Sequence, residues 1–274
     1  MTDSYLNQHH PCWSEDRTDL WERIHLPVAT ACNVKCAFCD GWTQMSCQIH
    51  RPGSAGRIMS AGQAVDVAER ELSRRPNLRI VAVAGPGEPL INAATFEVMA
   101  RLLNNEHKVH FCLSTNGVLL GDCVRQLVDL GVNGLSVSMS TSSPATAATI
   151  YEWADIRGKR MTGLDMGKTI VRIQIAGIKD ATDAGIHVKI NSVLIPGVNE
   201  GDIAKLAEDV AAAGAELQNV IPLVPCGTMS GCRPPSLSRL EQARAEAGKH
   251  VKQFYHCHQC RADVVGIPGS DTIL

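Results

Sequence analysis

Six short, mostly apolar runs, each separated from the next by a longer loop or a stretch of helical character, constrain this chain more than any other feature. They are Ile24–Ala29, Arg79–Ala84, Val109–Ser114, Gly134–Ser138, His187–Leu194 and Leu217–Leu223. Helical patterns fall at Ala61–Arg74, near Ala94–Asn104, near Leu120–Leu130, in a helix ending near Ala184 and Gly185, and at Asp202–Ala213. Ser60 with Gln63 three residues on has the form of a capping box. Strands and helices alternating at this spacing build parallel βαβ units. Six strands predict an α/β fold, an open partial (β/α)6 barrel rather than a closed eight-stranded one. The rhythm stops after Pro225, where Cys226, Cys232, the pair Pro234-Pro235, one helix and the tail His256–Leu274 follow. The expected organisation is an N-terminal extension (1–23), the barrel (24–224) and a C-terminal extension (225–274).

Composition narrows the function. A formal net charge of -2 gives no broad electrostatic reason to bind nucleic acid or an anionic membrane surface. The start, Met1–Trp21, is polar, and no window approaches the roughly 20 apolar residues that span a bilayer. A cytoplasmic protein is therefore expected. Eleven cysteines are many for such a compartment, where thiols stay reduced, unless they serve as ligands.

Cys32, Cys36 and Cys39 form CxxxCxxC directly after the first strand, which predicts that they lie on a loop. A 4Fe-4S cube needs four ligands, so three cysteines leave one iron open, whereas electron-transfer ferredoxins fill every position with cysteine. The alternatives are a zinc site or three unrelated buried thiols. The spacing, with Phe38 before the last cysteine, resembles the signature of radical S-adenosylmethionine (SAM) enzymes. That resemblance implies that the amino and carboxylate groups of SAM chelate the open iron, and that an electron from the cluster cleaves SAM to a 5'-deoxyadenosyl radical.

Other strand ends fit the same resemblance. Ala84-Gly85-Pro86-Gly87-Glu88-Pro89-Leu90 is similar to the glycine-rich turn that binds the SAM amino group, with Gly85 and Gly87 permitting close backbone approach and Glu88 holding the turn or the ligand ammonium. Ser114 and Asn116, and Asn191 and Ser192, resemble positions that contact the SAM ribose or carboxylate. Each is also open to reading as a plain cap or turn residue.

The remaining cysteines extend the likeness. His10-Pro11-Cys12-Trp13, Cys47, Arg51-Pro52-Gly53, Cys112, Ile150-Tyr151-x-Trp153, Lys189 to Gly197, Ile221-Pro222-Leu223 and Cys257-His258-Gln259-Cys260 together resemble the NifB family of nitrogenase cofactor maturases. The family implies two further 4Fe-4S clusters, as substrates, fused around a SAM-derived carbide into an 8-iron precursor. By this resemblance Cys12, Cys257 and Cys260 ligate one cluster, and Cys47, Cys112 and a histidine the other, His25 first and His10 second. It also implies partners: an iron-sulfur cluster donor, an electron donor and a cofactor carrier or scaffold. From the residues alone, Cys257 and Cys260 equally suit a zinc clamp with His256 or His258, Cys112 a core thiol and His25 a core histidine.

The chain departs from the family where Gln48-Ile49-His50 replaces an Asn-Glu-Ser stretch, removing a glutamate of the reaction site. The gap from Cys39 to Cys47 is also longer than usual, and Cys123, Cys226 and Cys232 have no counterparts. Cys123 is expected in the core, and Cys226 or Cys232 as a further ligand. The chain resembles the short family form without a carrier-like C-terminal domain. A divergent radical SAM enzyme, using one auxiliary cluster to modify a peptide, cofactor or metal centre, is the alternative; a non-catalytic cluster carrier is the third reading.

Overall fold

The computed structural model describes residues 5–41, 51–104 and 107–274. Six parallel strands lie side by side in sequence order: Glu22–His25, Leu78–Val83, His110–Thr115, Val132–Ser138, His187–Leu194 and Leu217–Pro222. This is the expected partial barrel. The first strand is shorter than its apolar run because Pro27 has no N–H to give the ladder, although Leu26 still donates to the Ala82 carbonyl at 2.9 Å.

One sheet face is apolar. Val81, Val83, Phe111, Leu113, Leu135, Val137, Val188 and Ile190 share the main core with the helices. The helix Ala61–Arg74 begins at the expected capping box: Gln63 N donates to Ser60 Oγ at 3.3 Å, and Ser60 N donates to Gln63 Oε1 at 2.9 Å. Ala93–Leu102, Leu120–Asp129, Gly163–Asp183 and Ile203–Ala212 complete the anticipated helices. Cys123, on Leu120–Asp129, packs against the core as expected.

Three features were not anticipated. Lys252–Gln253 adds a short parallel strand beside the sixth. At the opposite edge Val264–Gly266 pairs antiparallel with the first strand, and Thr272–Ile273 pairs with it in turn. Arg23, 1% exposed, locks that return: Nη1 donates to the Gly266 carbonyl at 2.6 Å and Nη2 to Asp271 at 2.5 Å. Separately, Val34–Cys36, Tyr151–Ile156 and Lys159–Met161 form a small antiparallel sheet. Cys36 therefore ends a strand, paired with Tyr151, rather than lying on a free loop.

The N-terminal segment enters the same body. Leu6 and Trp13 are buried with Leu217 and Phe254. A Cβ at position 134 would lie 2.9 Å from a Leu6 methyl, so Gly134 admits that side chain. Among the described residues, no helix is long and apolar enough to cross a membrane.

Because the capping box satisfies two helix-terminal donors, Ser60→Ala should lower stability by about 1 kcal/mol in chemical denaturation.

Candidate functional site

Strand parity builds the site. Residues that alternate with the apolar core point the other way, into one cavity: His25, Cys112 and Ser114, Ser136 and Ser138, Lys189 and Asn191, and Asn219. Cys32, Cys36 and Cys39 line it too, and Cys12, Cys257 and Cys260 reach it from the two ends of the chain. Among the described residues, no three His, Cys, Asp or Glu side chains converge on a site for a single metal ion.

The cysteine triplet is held by backbone. Ala37 N donates to the Ile150 carbonyl at 2.8 Å and Asp155 N to the Asn33 carbonyl at 2.7 Å, tying the triplet to the antiparallel sheet. Gly87 N and Glu88 N donate to the carbonyls of Ala29 and Ala31, both at 2.8 Å. A Cβ on Gly87 would sit 2.3 Å from the Ala31 oxygen, so only glycine permits this contact. Gly227 lies over the triplet just as closely, its Cβ position 2.6 Å from the Ala37 oxygen. Burial, then the neighbouring Cys39 and Cys32, push the Cys36 thiol well above its ordinary range. Burial pushes the Cys32 thiol up as well; thiols held this way keep their protons unless a cation replaces them, and three cysteines on one loop fit a cluster held by three thiolates.

The supporting turns divide between roles. Glu88, buried beneath the glycine turn, spends its carboxylate on the protein: Oε1 accepts from Leu90 N at 3.1 Å and Thr115 Oγ1 at 2.5 Å, and Oε2 from Asn116 N at 2.6 Å. Asn116 Nδ2 donates to Asn33 Oδ1 at 2.8 Å, so the third strand also braces the triplet loop. Gly85, Gly87, Ser114, Asn116 and Asn191 all line the cavity. Ser192 does not, which corrects the expectation that it contacts the cofactor. One register step beyond Asn191, it is fully buried on the other face, donating to the Met139 carbonyl at 2.8 Å and accepting from Gln218 Nε2 at 3.0 Å.

Burial, reinforced by Cys12, pushes the Cys112 thiol up to about 12. Burial likewise takes Cys260 up to about 12, against the opposing charge of Arg23. His25 Nδ1 donates to the Arg261 carbonyl at 2.8 Å, leaving Nε2 as the acceptor nitrogen. Burial, then Arg23, lowers His25 to about 3, so it stays neutral. His10 is also buried and lines the cavity, but its Nδ1 accepts from Cys12 N at 3.1 Å. Cys47 and Gln48-Ile49-His50 lie outside the described residues.

Arg51-Pro52-Gly53 brings the tail to the glycine turn: Gly53 N donates to the Cys260 carbonyl at 2.9 Å, and Gly85 leaves room for the Gly53 oxygen. Beside the triplet, Phe38, Val193, Ile221, Leu223 and Val224 line an apolar recess. Cys226 borders it, donating to Asp40 at 2.7 Å and accepting from Arg51 at 2.9 Å, while Cys232 is exposed. Sequence reasoning missed Arg23, Lys189, Ser136, Ser138 and Asn219. Their signal was a polar residue at every second position of otherwise apolar strands.

Known proteins resemble this chain over most of its length. The radical SAM superfamily pattern matches residues 26–210. The chain is 36% identical to the FeMo cofactor biosynthesis protein NifB of Methanocaldococcus jannaschii, over 99% of this chain and 90% of that protein. The chain belongs to the NifB family of radical SAM proteins. It is also 37% identical to NifB of Klebsiella pneumoniae, where it spans 96% of its own length but only 57% of that protein. A radical SAM methyltransferase from Sphaerobacter thermophilus superposes with a TM-score of 0.60 at 22% identity, over 85% of this chain and 65% of that one. SuiB of Streptococcus suis bound to SAM gives 0.59 at 15% identity, over 86% and 51%. These two show the shared fold. Membership of the radical SAM family makes the NifB-type chain a SAM-dependent enzyme with a 4Fe-4S cluster.

Glu88 yields a pH test. Burial raises its carboxyl from about 4.5 to about 7, its three hydrogen bonds opposing the rise. Between those values the folded chain holds a proton that the unfolded chain has released, so stability falls as pH rises. The loss should approach about 3 kcal/mol from pH 4.5 to above 7. Urea denaturation of the cluster-free chain should show that slope, and Glu88→Gln should abolish it.

Proposed function

We propose that this enzyme builds the iron-sulfur precursor of a nitrogenase cofactor, joining two substrate 4Fe-4S clusters around a carbon drawn from SAM into an 8-iron product. The observation that carries the reading is the meeting of Cys12, Cys112, Cys257, Cys260 and His25 in the same cavity as the Cys32, Cys36 and Cys39 triplet. Four thiols and an imidazole beyond the triplet are more ligands than one auxiliary 4Fe-4S cluster needs.

In this reading Cys32, Cys36 and Cys39 hold the resident cluster, which supplies the electron for SAM cleavage when bound. The glycine turn at Gly85 and Gly87, with Ser114, Asn116 and Asn191, orients the amino acid end of SAM, and the apolar recess beside Phe38 takes its adenosine end. Glu88 keeps the turn and the third strand in register. Cys12, Cys257 and Cys260 hold one substrate cluster; Cys112, Cys47 and His25 hold the other. His25 is the stronger choice over His10, since a carbonyl fixes its Nδ1–H and leaves Nε2 free to ligate. Residues 1–23 and 225–274 act as ligand-bearing extensions of the barrel formed by 24–224. The partners are a donor of iron-sulfur clusters, an electron donor and a carrier or scaffold that takes the product.

Anaerobic reconstitution tests the assignment. Wild-type protein should bind roughly three times the iron of a Cys12→Ala, Cys112→Ala, Cys260→Ala variant, which should keep the triplet's cluster and still form 5'-deoxyadenosine. Cys36→Ala should lose that product. SAM consumption giving both S-adenosylhomocysteine and 5'-deoxyadenosine supports methyl donation. Wild-type iron of only about four per chain sinks the multi-cluster reading. 5'-Deoxyadenosine alone favours the divergent enzyme with an auxiliary cluster, a reading that the Gln48-Ile49-His50 replacement motivates.

A further inference from the structure

Lys189 is the least expected residue in the cavity. It sits on the fifth strand, 3% exposed, and no carboxylate pairs with it among the described ion pairs. A buried ammonium without an anion is costly, by several kcal/mol even after relaxation. Its surroundings repay only part. Nζ donates to the Cys12 carbonyl at 2.7 Å and lies 5.6 Å from the Trp13 ring centroid and 5.3 Å from that of Phe254. An ammonium carries three donors, and the Cys12 carbonyl takes one.

The same contact positions Cys12. Its backbone is clamped at both ends, N–H to His10 Nδ1 at 3.1 Å and C=O to Lys189. Trp13, the next residue, is anchored in the apolar cluster with Phe254. Cys12, Cys112, Cys257 and Cys260 line the same cavity as Lys189. Among the described lining residues the one carboxylate is that of Glu88, already bonded to Leu90, Thr115 and Asn116, so the cavity leaves thiols to carry the anion that completes this pocket.

Resting on the accessory-cluster reading above, we propose that Lys189 is a positioning residue for that pocket. It fixes Cys12 as a ligand and supplies the fixed positive charge that lets an anionic, thiolate-bound iron-sulfur cluster reside inside the barrel. A fixed cation beside a cluster favours the reduced, more negative state, so the residue also sets the cluster's potential.

The test uses the full chain reconstituted without oxygen, as wild type, Lys189→Met, Lys189→Gln and Lys189→Arg. Iron per chain and EPR-monitored redox titration are the readouts, with the SAM-induced change in the triplet's signal as an internal control for folding. Lys189→Met should keep that SAM response while its accessory signal is lost or moves to a more negative midpoint. Lys189→Gln, which keeps a donor for the Cys12 carbonyl but no charge, should move the midpoint in the same direction, and Lys189→Arg should stay nearer wild type. An unchanged midpoint with unchanged iron in Met and Gln variants overturns the countercharge. So does equal loss in all three variants, which would leave only a steric role. Wild-type protein holding iron at the triplet alone would instead sink the accessory-site reading, and this inference with it.

Discussion

The period-2 alternation of six parallel strands is the constraint on which the site depends. A strand in a doubly covered sheet is normally apolar on both faces, and closed barrels of this class fill their interiors with bulky aliphatic residues. Here the outward face follows that rule, with Val81, Phe111, Leu135 and Val188 against the helices. The inward face carries Cys112, Ser136, Lys189 and Asn219 instead. Such an interior cannot close on itself without stranding polar groups, so it must stay open to a ligand. Fold and chemistry are thus set by the same alternation, read on opposite faces.

The chain's two ends complete that interior. The segment around Cys12 is carried in by Leu6 and Trp13, and the segment around Cys260 by pairing of Val264–Gly266 with the first strand. Arg23 joins both arrangements, since it holds the tail hairpin and lies in electrostatic reach of the Cys12 and Cys260 thiols. Among the described residues, His25 and Cys112 ride on strands of the sheet, Cys12 precedes the buried Trp13, and the Cys260 carbonyl accepts from Gly53 N, so the cavity draws on both ends of the chain.

Local regularity made much of this legible in the sequence. Helix and strand periods found six strands and five helices, and Ser60 with Gln63 marked a real helix start. The triplet was legible because ligands of one cluster can sit close together in sequence. What escaped notice depends on contacts across space. Arg157 and Gly158, both at positive φ, turn the chain between Tyr151–Ile156 and Lys159–Met161, but nothing local tells that this hairpin will grip Val34–Cys36. Ser192 was misread because two adjacent polar residues on a strand look alike until its register is known, and only one of them can face inward. Lys189 resembles an ordinary sheet lysine until Trp13 and Phe254 are seen to cover it.

Charge gives the arrangement its direction. The whole chain is nearly neutral, yet two buried cations, Arg23 and Lys189, face thiols that burial holds protonated. Each feature is unfavourable alone: an ammonium lacks its anion, and a thiol resists losing its proton. Their costs have opposite sign in charge, so one ligand relieves both. In the accessory-cluster reading proposed above, iron would displace the thiol protons and the resulting anionic assembly would neutralise Lys189, Arg23 having Asp271 as its partner already. A single neutral organic substrate would relieve neither.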